Sequence, residues 1–308
     1  MIKIRYIIYF FFTIIYGQIS YANIEIKYKI GDDIITNIDI YDEKNYLLFL
    51  RPNLNNLSEN EILKISSNSL IKEIIKKKEL NKIYKDTDNL KFLDEIKKNL
   101  FKFKKDKNEN EFINLLKKNN IEYSKIIEKL KYEGLWNEFI FQKYSSFVKI
   151  DKDTLRAKLK SNISKDKKFE YNLSELLFEI NKDENLQDKS REILKYIKLN
   201  GFKAAANRYS ISSSANRGGE IGWIKETLLS DDLNKILKKL QSEMISRPLK
   251  YPNGYLLLKI NEKREMQQVI NIEKELDELV SFEKNRQLNQ FSLLLFKKLK
   301  QNIQINEY

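Results

Sequence analysis

Ile24, Ile26, Tyr28 and Ile30 alternate with polar residues, which predicts a short strand, and Gly31, Asp32 and Asp33 supply a turn into Ile34 and Ile35. Thr36 with Asp39 three residues later has the form of a capping box, Asp replacing the usual Glu or Gln. A helix is therefore expected from about Ile38 to Leu50, stopped by Pro52. Ser58 with Glu61 repeats the signal. The helix that follows carries Ile62, Ile65, Leu70, Ile71, Ile74 and Ile75 at helical spacing, and amphipathic stretches recur around 90–103, 109–118 and 123–147. Nothing strand-like interrupts them, so this half of the chain reads as a mainly helical unit whose apolar faces pack on one another.

Asp151 is placed to cap a short helix through Leu159, and residues 160–168 read as a polar connector. The punctuation then changes: five of the eight Gly and two of the three Pro fall between 201 and 254. The pattern predicts a strand over 169–180, helices over 188–198 and 202–209, a strand over 220–225, a helix over 228–240 and strands near 245–250 and 254–261. That is an α+β domain. From about 269 to 301 one long helical pattern returns. In it Leu288, Phe291, Leu295 and Leu299 share a helical face too apolar to leave in water. The preceding domain is expected to fill its own core. This face should therefore pack on the helices before residue 150, making one helical unit from two distant pieces of chain with the α+β domain looped out between them.

The 308 residues include neither Cys nor His. Disulfides, thiolate zinc sites, cysteine nucleophiles and imidazole as ligand or proton shuttle are excluded. Carboxylate or lysine chemistry remains, or function by binding; no metal and no cofactor is expected. The formal charge is +13, but 48 of the basic residues are Lys and nine Arg, scattered through the chain. No segment interleaves Arg with aromatics as a nucleic-acid groove would, so nucleic acid is not expected as a partner. At the amino terminus Lys3 and Arg5 precede an apolar run over 6–15 broken only by Thr13, with small residues at Ser20 and Ala22. This pattern predicts a secretory signal peptide over 1–22, cleaved after Ala22. The run is about half the roughly 20 residues that span a bilayer, so no stable membrane anchor is expected.

The stretch 202–224, FKAAANRYSISSSANRGGEIGWI, resembles the signature of parvulin-type (PpiC-like) peptidyl-prolyl isomerases. The similarity lies in the helix ending in Arg208, Tyr209 and Ser210, the loop Ser212 to Ala215, and then Gly218, Gly219, Glu220, Ile221, Gly222 and Trp223. Leu173 to Leu177 matches the family's first strand, and Asn253, Gly254 and Tyr255 the turn into its last. The flanks are similar to SurA-type periplasmic chaperones, with a hairpin leading into Thr36–Asp39, Leu70 to Glu73 in a helical module, and a long helix after the parvulin unit. Only one Gly-Gly signature is present, which departs from two-domain members. The resemblance implies an α+β multidomain fold: a mainly helical SurA-like chaperone core made of N-terminal (23–168) and C-terminal (266–308) segments, with an inserted parvulin domain at 169–265.

The same resemblance places the family's two histidines on Glu175 and Leu256 and its Cys or Asp on Ser212. It places the apolar proline seat on Ile221, Leu229 and Leu233. Each position also has a plainer reading. Leu256 and Ile221 suit a strand core as well as a pocket wall, and Ser212 suits loop chemistry. Glu175, between Leu173 and Leu176, either points to solvent or puts a carboxylate in the pocket. The implied function is a periplasmic holdase for unfolded exported polypeptides, outer-membrane proteins above all, whose isomerase domain is weak or inactive. The alternative is an active prolyl isomerase acting on exported proteins. The sequence leaves the oligomeric state open.

Overall fold

The computed structural model describes residues 23–85, 93–95, 97–98, 109–163, 168–181, 183–266 and 271–308. The signal peptide over 1–22 and its cleavage site lie outside these residues, as does most of the amphipathic stretch 90–103. Among the described residues no helix is long and apolar enough to cross a membrane, and no group of three metal-ligating side chains occurs.

Strands β1 (Ile26–Ile30) and β2 (Asp33–Thr36) form the expected hairpin, which leads into α1 (Asn37–Leu50). Both halves of the capping box are present: Asp39 N donates to Thr36 Oγ1 at 3.2 Å and Thr36 N to Asp39 Oδ2 at 2.8 Å. Helix α1 stops at Arg51, whose helical conformation the following Pro52 disfavours. Ser58 starts α2 (Glu59–Asn81), its N–H donating to Glu61 Oε2 at 3.2 Å. Helices α3 (Glu109–Lys118), α4 (Tyr123–Tyr144) and α5 (Lys152–Ile163) follow. Where α1, α2 and α4 meet, Lys129 binds Glu43 at 2.8 Å and also Glu73. Burial alone would lower the Lys129 pKa, but the two carboxylates outweigh it and hold the ammonium protonated. Burial pushes the Glu43 carboxyl above its ordinary value against the pull of Lys129.

The second unit has β3 (Phe169–Phe178), α6 (Leu186–Asn200), α7 (Phe202–Tyr209), β4 (Glu220–Lys225), α8 (Asp231–Lys239), β5 (Leu249–Tyr251) and β6 (Gly254–Glu265). Its sheet is antiparallel with order β4-β3-β6-β5. Successive strand residues face opposite sides. Leu176, Phe178 and Leu257 face α6 and α7, whereas Leu173, Leu177, Leu256 and Leu258 face α8. The strand expected over 245–250 is shorter: Ile245 makes only an isolated bridge to Lys259, and pairing resumes at Leu249.

Helix α9 (Ile272–Gln301) is the long C-terminal helix. Leu288, Leu295, Phe296 and Leu299 pack against Leu80 of α2 and Tyr132, Leu135, Trp136, Phe139 and Ile140 of α4. Trp136 Nε1 donates to Ser292 Oγ at 2.8 Å, and Phe291 stacks on Tyr144 with centroids 4.9 Å apart. Strand β7 (Ile305–Glu307), which the pattern did not predict, then joins β1 at the edge of the first sheet, in the order β2-β1-β7. The far ends of the chain thus share one sheet.

The α+β domain is inserted between the two pieces of the helical unit, as expected, and it docks on that unit, which the sequence left open. Leu47, Leu54, Leu57, Ile62 and Ile65 of the helical module form one continuous apolar cluster with Leu176, Phe178, Ile193, Tyr196 and Phe202 of the α+β domain. Arg51 Nη1 donates to Asn207 Oδ1 at 2.9 Å, and Arg208 pairs with Glu61. On the opposite sheet face, Phe282 and Leu293 of α9 pack against the domain's second core. The periodicity was too local to reveal this, because the apolar residues of α1 and α2 outnumber what their own pairing consumes.

Removing Lys129 leaves the Glu43 carboxylate buried and uncompensated. Lys129→Met should therefore cost about 3 to 5 kcal/mol at neutral pH in urea unfolding. Glu43 takes a proton more readily folded than unfolded, so the variant's deficit should shrink as pH falls through its raised pKa towards the ordinary 4.5. A deficit independent of pH would exclude Glu43 as its source.

Candidate functional site

Glu175 lies on central strand β3, opposite Leu258, between Leu173 and Leu177 on the same face. That face carries the second apolar core, so the carboxylate projects on the side where Leu229 and Leu256 are buried and Ile221 and Leu233 are half-buried. Glu175 is half-buried at the margin of this apolar surface. All six residues singled out in the sequence fall on this side of the sheet or on the loop beside it.

Residues 211–219 bring the polar groups to Glu175. Ser210 Oγ accepts from Leu177 N at 3.1 Å and from Ser212 N at 3.3 Å, which pins the loop to β3. Ser212 caps a short 3-10 turn at Ser213–Arg217. Its hydroxyl donates to Glu175 Oε1 at 2.5 Å, and that of Ser214 donates to the same oxygen at 2.7 Å. Sequence reasoning passed over Ser214. The available signal was its spacing of two from Ser212, which a 3-10 turn can place on the same carboxylate.

Two glycines make this approach possible. Gly218 and Gly219 both have positive φ, and Glu175 N donates to Gly219 O at 2.8 Å. A Cβ on Gly219 would lie 2.2 Å from Glu175 O. Beyond the site, Arg264 lies 3.9 Å from the Trp223 ring centroid and donates through Nη2 to Glu170 at 2.7 Å, fixing the outer end of β4.

Each serine has one hydroxyl proton, and the shortest contact of each hydroxyl is to Glu175 Oε1, although the two hydroxyls also lie 3.1 Å apart. The arrangement is internally satisfied: an acceptor held by two donors, beside an apolar surface. It can present a carboxylate oxygen and an apolar seat to a peptide. Turning either hydroxyl towards a substrate carbonyl would first break its bond to Glu175.

Residues 173–262 match the family model described as Rotamase: PPIC-type PPIASE domain, and this part of the chain is a PpiC-type peptidyl-prolyl isomerase domain. Among curated proteins the chain is similar to the chaperone SurA of Pseudomonas putida, 42% identical over 64 residues, which are 21% of this chain and 14% of that one. It is also similar to the foldase protein PrsA of Bacillus subtilis, 38% identical over 64 residues, 20% of this chain and 22% of that one. The matched stretch thus spans a small part of these relatives. Among solved structures, a PpiC-type isomerase domain is 26% identical and covers 33% of this chain and 96% of that one, with a TM-score of 0.29. A SurA-like chaperone of Campylobacter jejuni is 19% identical and covers 92% and 98%, with a TM-score of 0.36.

The glycines allow a graded test. Gly222 also has positive φ, but a Cβ there meets nothing within 4 Å. Gly222→Ala should cost about 1 to 2 kcal/mol, from backbone strain alone. Gly219→Ala should cost clearly more, because the main chain of β3 must move. Equal losses in urea titrations of the two variants would contradict the close approach of loop and strand.

Proposed function

We propose that this protein is a periplasmic chaperone that holds unfolded exported polypeptides, outer-membrane proteins in particular. Residues 1–22 serve as its cleaved signal peptide. Residues 23–168 and 266–308 act together as the binding unit, and 169–265 as the isomerase-like unit. The observation that carries this reading is the seating of a PpiC-type domain against helices from both ends of the chain. An enzyme needing only X-Pro rotation would have no use for so large a helical partner. The similarity to SurA and PrsA over 64 residues supports the same reading.

Within that reading the isomerase step is weak. Rotation about an X-Pro amide meets a barrier of about 18 to 20 kcal/mol, which an isomerase lowers without covalent chemistry. It gains from an apolar seat and from donors placed at the twisting amide. The residues assigned to the seat, Ile221, Leu229 and Leu233, belong to one apolar cluster, but the Ser212 and Ser214 hydroxyls are engaged by Glu175. The second reading, an active prolyl isomerase, is favoured by one feature, the retention of that complete apolar seat beside a carboxylate.

Two assays on the mature chain separate these readings. Aggregation suppression of an unfolded β-barrel protein should be strong and unchanged in Leu233→Ala, while prolyl isomerisation should stay near the uncatalysed rate. A fast isomerase rate that drops about tenfold or more in Leu233→Ala would establish the second reading instead. For export, N-terminal sequencing of protein from cells should begin at Asn23; an intact Met1 in a membrane pellet would contradict cleavage.

A further inference from the structure

Helix α1 turns three acids and a tyrosine to one side. Asp39, Asp42, Glu43 and Tyr46 fall at positions i, i+3, i+4 and i+7, a spacing that puts them on one helical face. That face lines a cavity of about 540 Å³ in the helical module. Leu70 and Glu73 of α2 form a second wall. Glu122, Lys125, Ile126 and Lys129, again at i, i+3, i+4 and i+7, form a third at the start of α4, and Ile121, in the turn after α3, borders it.

The charges around the cavity are unevenly matched. Among the described residues, six carboxylates and three ammonium groups line it, in a chain whose formal charge is +13. Asp39 Oδ2 accepts from Thr36 N at 2.8 Å, and Lys125 Nζ donates to Asp42 Oδ2 at 2.6 Å. Lys129 is shared between Glu43 Oε2, at 2.8 Å, and Glu73. Ser124 donates to Glu122, Lys77 reaches Glu128 from outside the lining, and Lys117 is exposed. One acceptor is left over. Glu43 is only 3% exposed, and its Oε1 is buried without a hydrogen-bond partner. Ser69 lies close enough to favour the charged carboxyl, yet it leaves Oε1 unbonded. Buried acceptors in folded chains are nearly always satisfied, and a carboxylate oxygen that is not is costly.

What this cavity lacks is a donor that carries positive charge. A guanidinium suits it better than an ammonium: it is planar and weakly hydrated, and its N–H groups form a fixed fork that can serve carboxylates from more than one helix. Leu70, Ile121, Ile126 and the Tyr46 ring offer apolar surface to an aliphatic stem. The volume lies within the roughly 300 to 1,000 Å³ of sites that enclose a ligand. We propose that this cavity binds an arginine side chain of an unfolded polypeptide, with the carboxylates of Asp42, Glu43 and Glu73 around its guanidinium. The proposal rests on the chaperone reading for the polypeptide and adds the kind of residue that is recognised.

The test uses the full mature chain at neutral pH and low salt, with two fluorescent unstructured peptides that differ only in carrying arginine or its neutral isostere citrulline. By anisotropy the arginine peptide should bind about tenfold or more tightly, the size expected of hydrogen bonds between charged groups. Glu43→Gln should remove most of that preference and leave the citrulline peptide's affinity unchanged, which also reports that the variant is folded. Asp42→Asn, at a half-exposed position, should cut the preference about threefold with no change in melting temperature. Glu243→Gln, in the isomerase domain and outside the cavity, should leave it intact. Free L-arginine should compete about tenfold or more weakly than the peptide; equal competition would overturn the polypeptide as the ligand. Equal binding of the two peptides, binding of neither, or a preference that survives in both cavity variants would overturn the arginine site. Suppression of aggregation by the parent protein would then leave the chaperone reading standing, whereas its absence would overturn that reading as well.

Discussion

A thirty-residue helix with apolar residues on several sides has to be buried along several faces at once, and α9 finds its partners in both halves of the chain. Its first turns lie against α5 and the isomerase domain, where Glu275 takes Lys225 at 2.5 Å and Thr227 at 2.7 Å. Its later turns lie against α2 and α4, and β7 then completes the sheet begun by β1. Each fully buried Leu or Phe is worth about 1.5 to 3 kcal/mol. Leu276 and Leu279 are buried outright and the later apolar residues in part, so the helix contributes a sizeable share of the roughly 5 to 15 kcal/mol by which a domain is stable. The helices before residue 150 and the isomerase domain are coupled because they compete for, and share, this one partner.

That sharing decides which surface of the isomerase domain is available for chemistry. The α6 and α7 side is spent on stability, since its residues merge with those of α1 and α2 in one apolar cluster. Part of the other sheet face is covered by Phe282 and Leu293. What remains is the half-buried margin at Ile221 and Leu233, with Glu175 and its two serines alongside. Helix α9 thus limits the open part of this face as well as holding the domain.

The local grammar of the sequence was easy to read. Thr36 with Asp39, Pro52, Ser58 with Glu61 and the glycines around 218 each act within a few residues, and each element they announce is present. The apolar stripe of α9 was legible because a helical face that cannot stay in water must have a partner. Docking of the isomerase domain was not legible. It depends on which of many Ile and Leu side chains in α1 and α2 are left over after local pairing. Strand β7 was missed for a related reason: three residues carry too little alternation to register until β1 is beside them. At the site, the apolar residues followed from resemblance, but the role of Glu175 did not. Its direction depends on the register of β3, and its partners on a 3-10 turn nearly forty residues further along.

Charge follows the same division between local and distant causes. The lysines are scattered through the chain, and Lys77, Lys78 and Lys125 are each paired with an acid from another element. Lys72 and Lys76 differ only in the face of α2 they occupy, which the helical period turns towards α4 and α9. A buried cation without a partner costs stability, and the cost grows when others of the same sign are near.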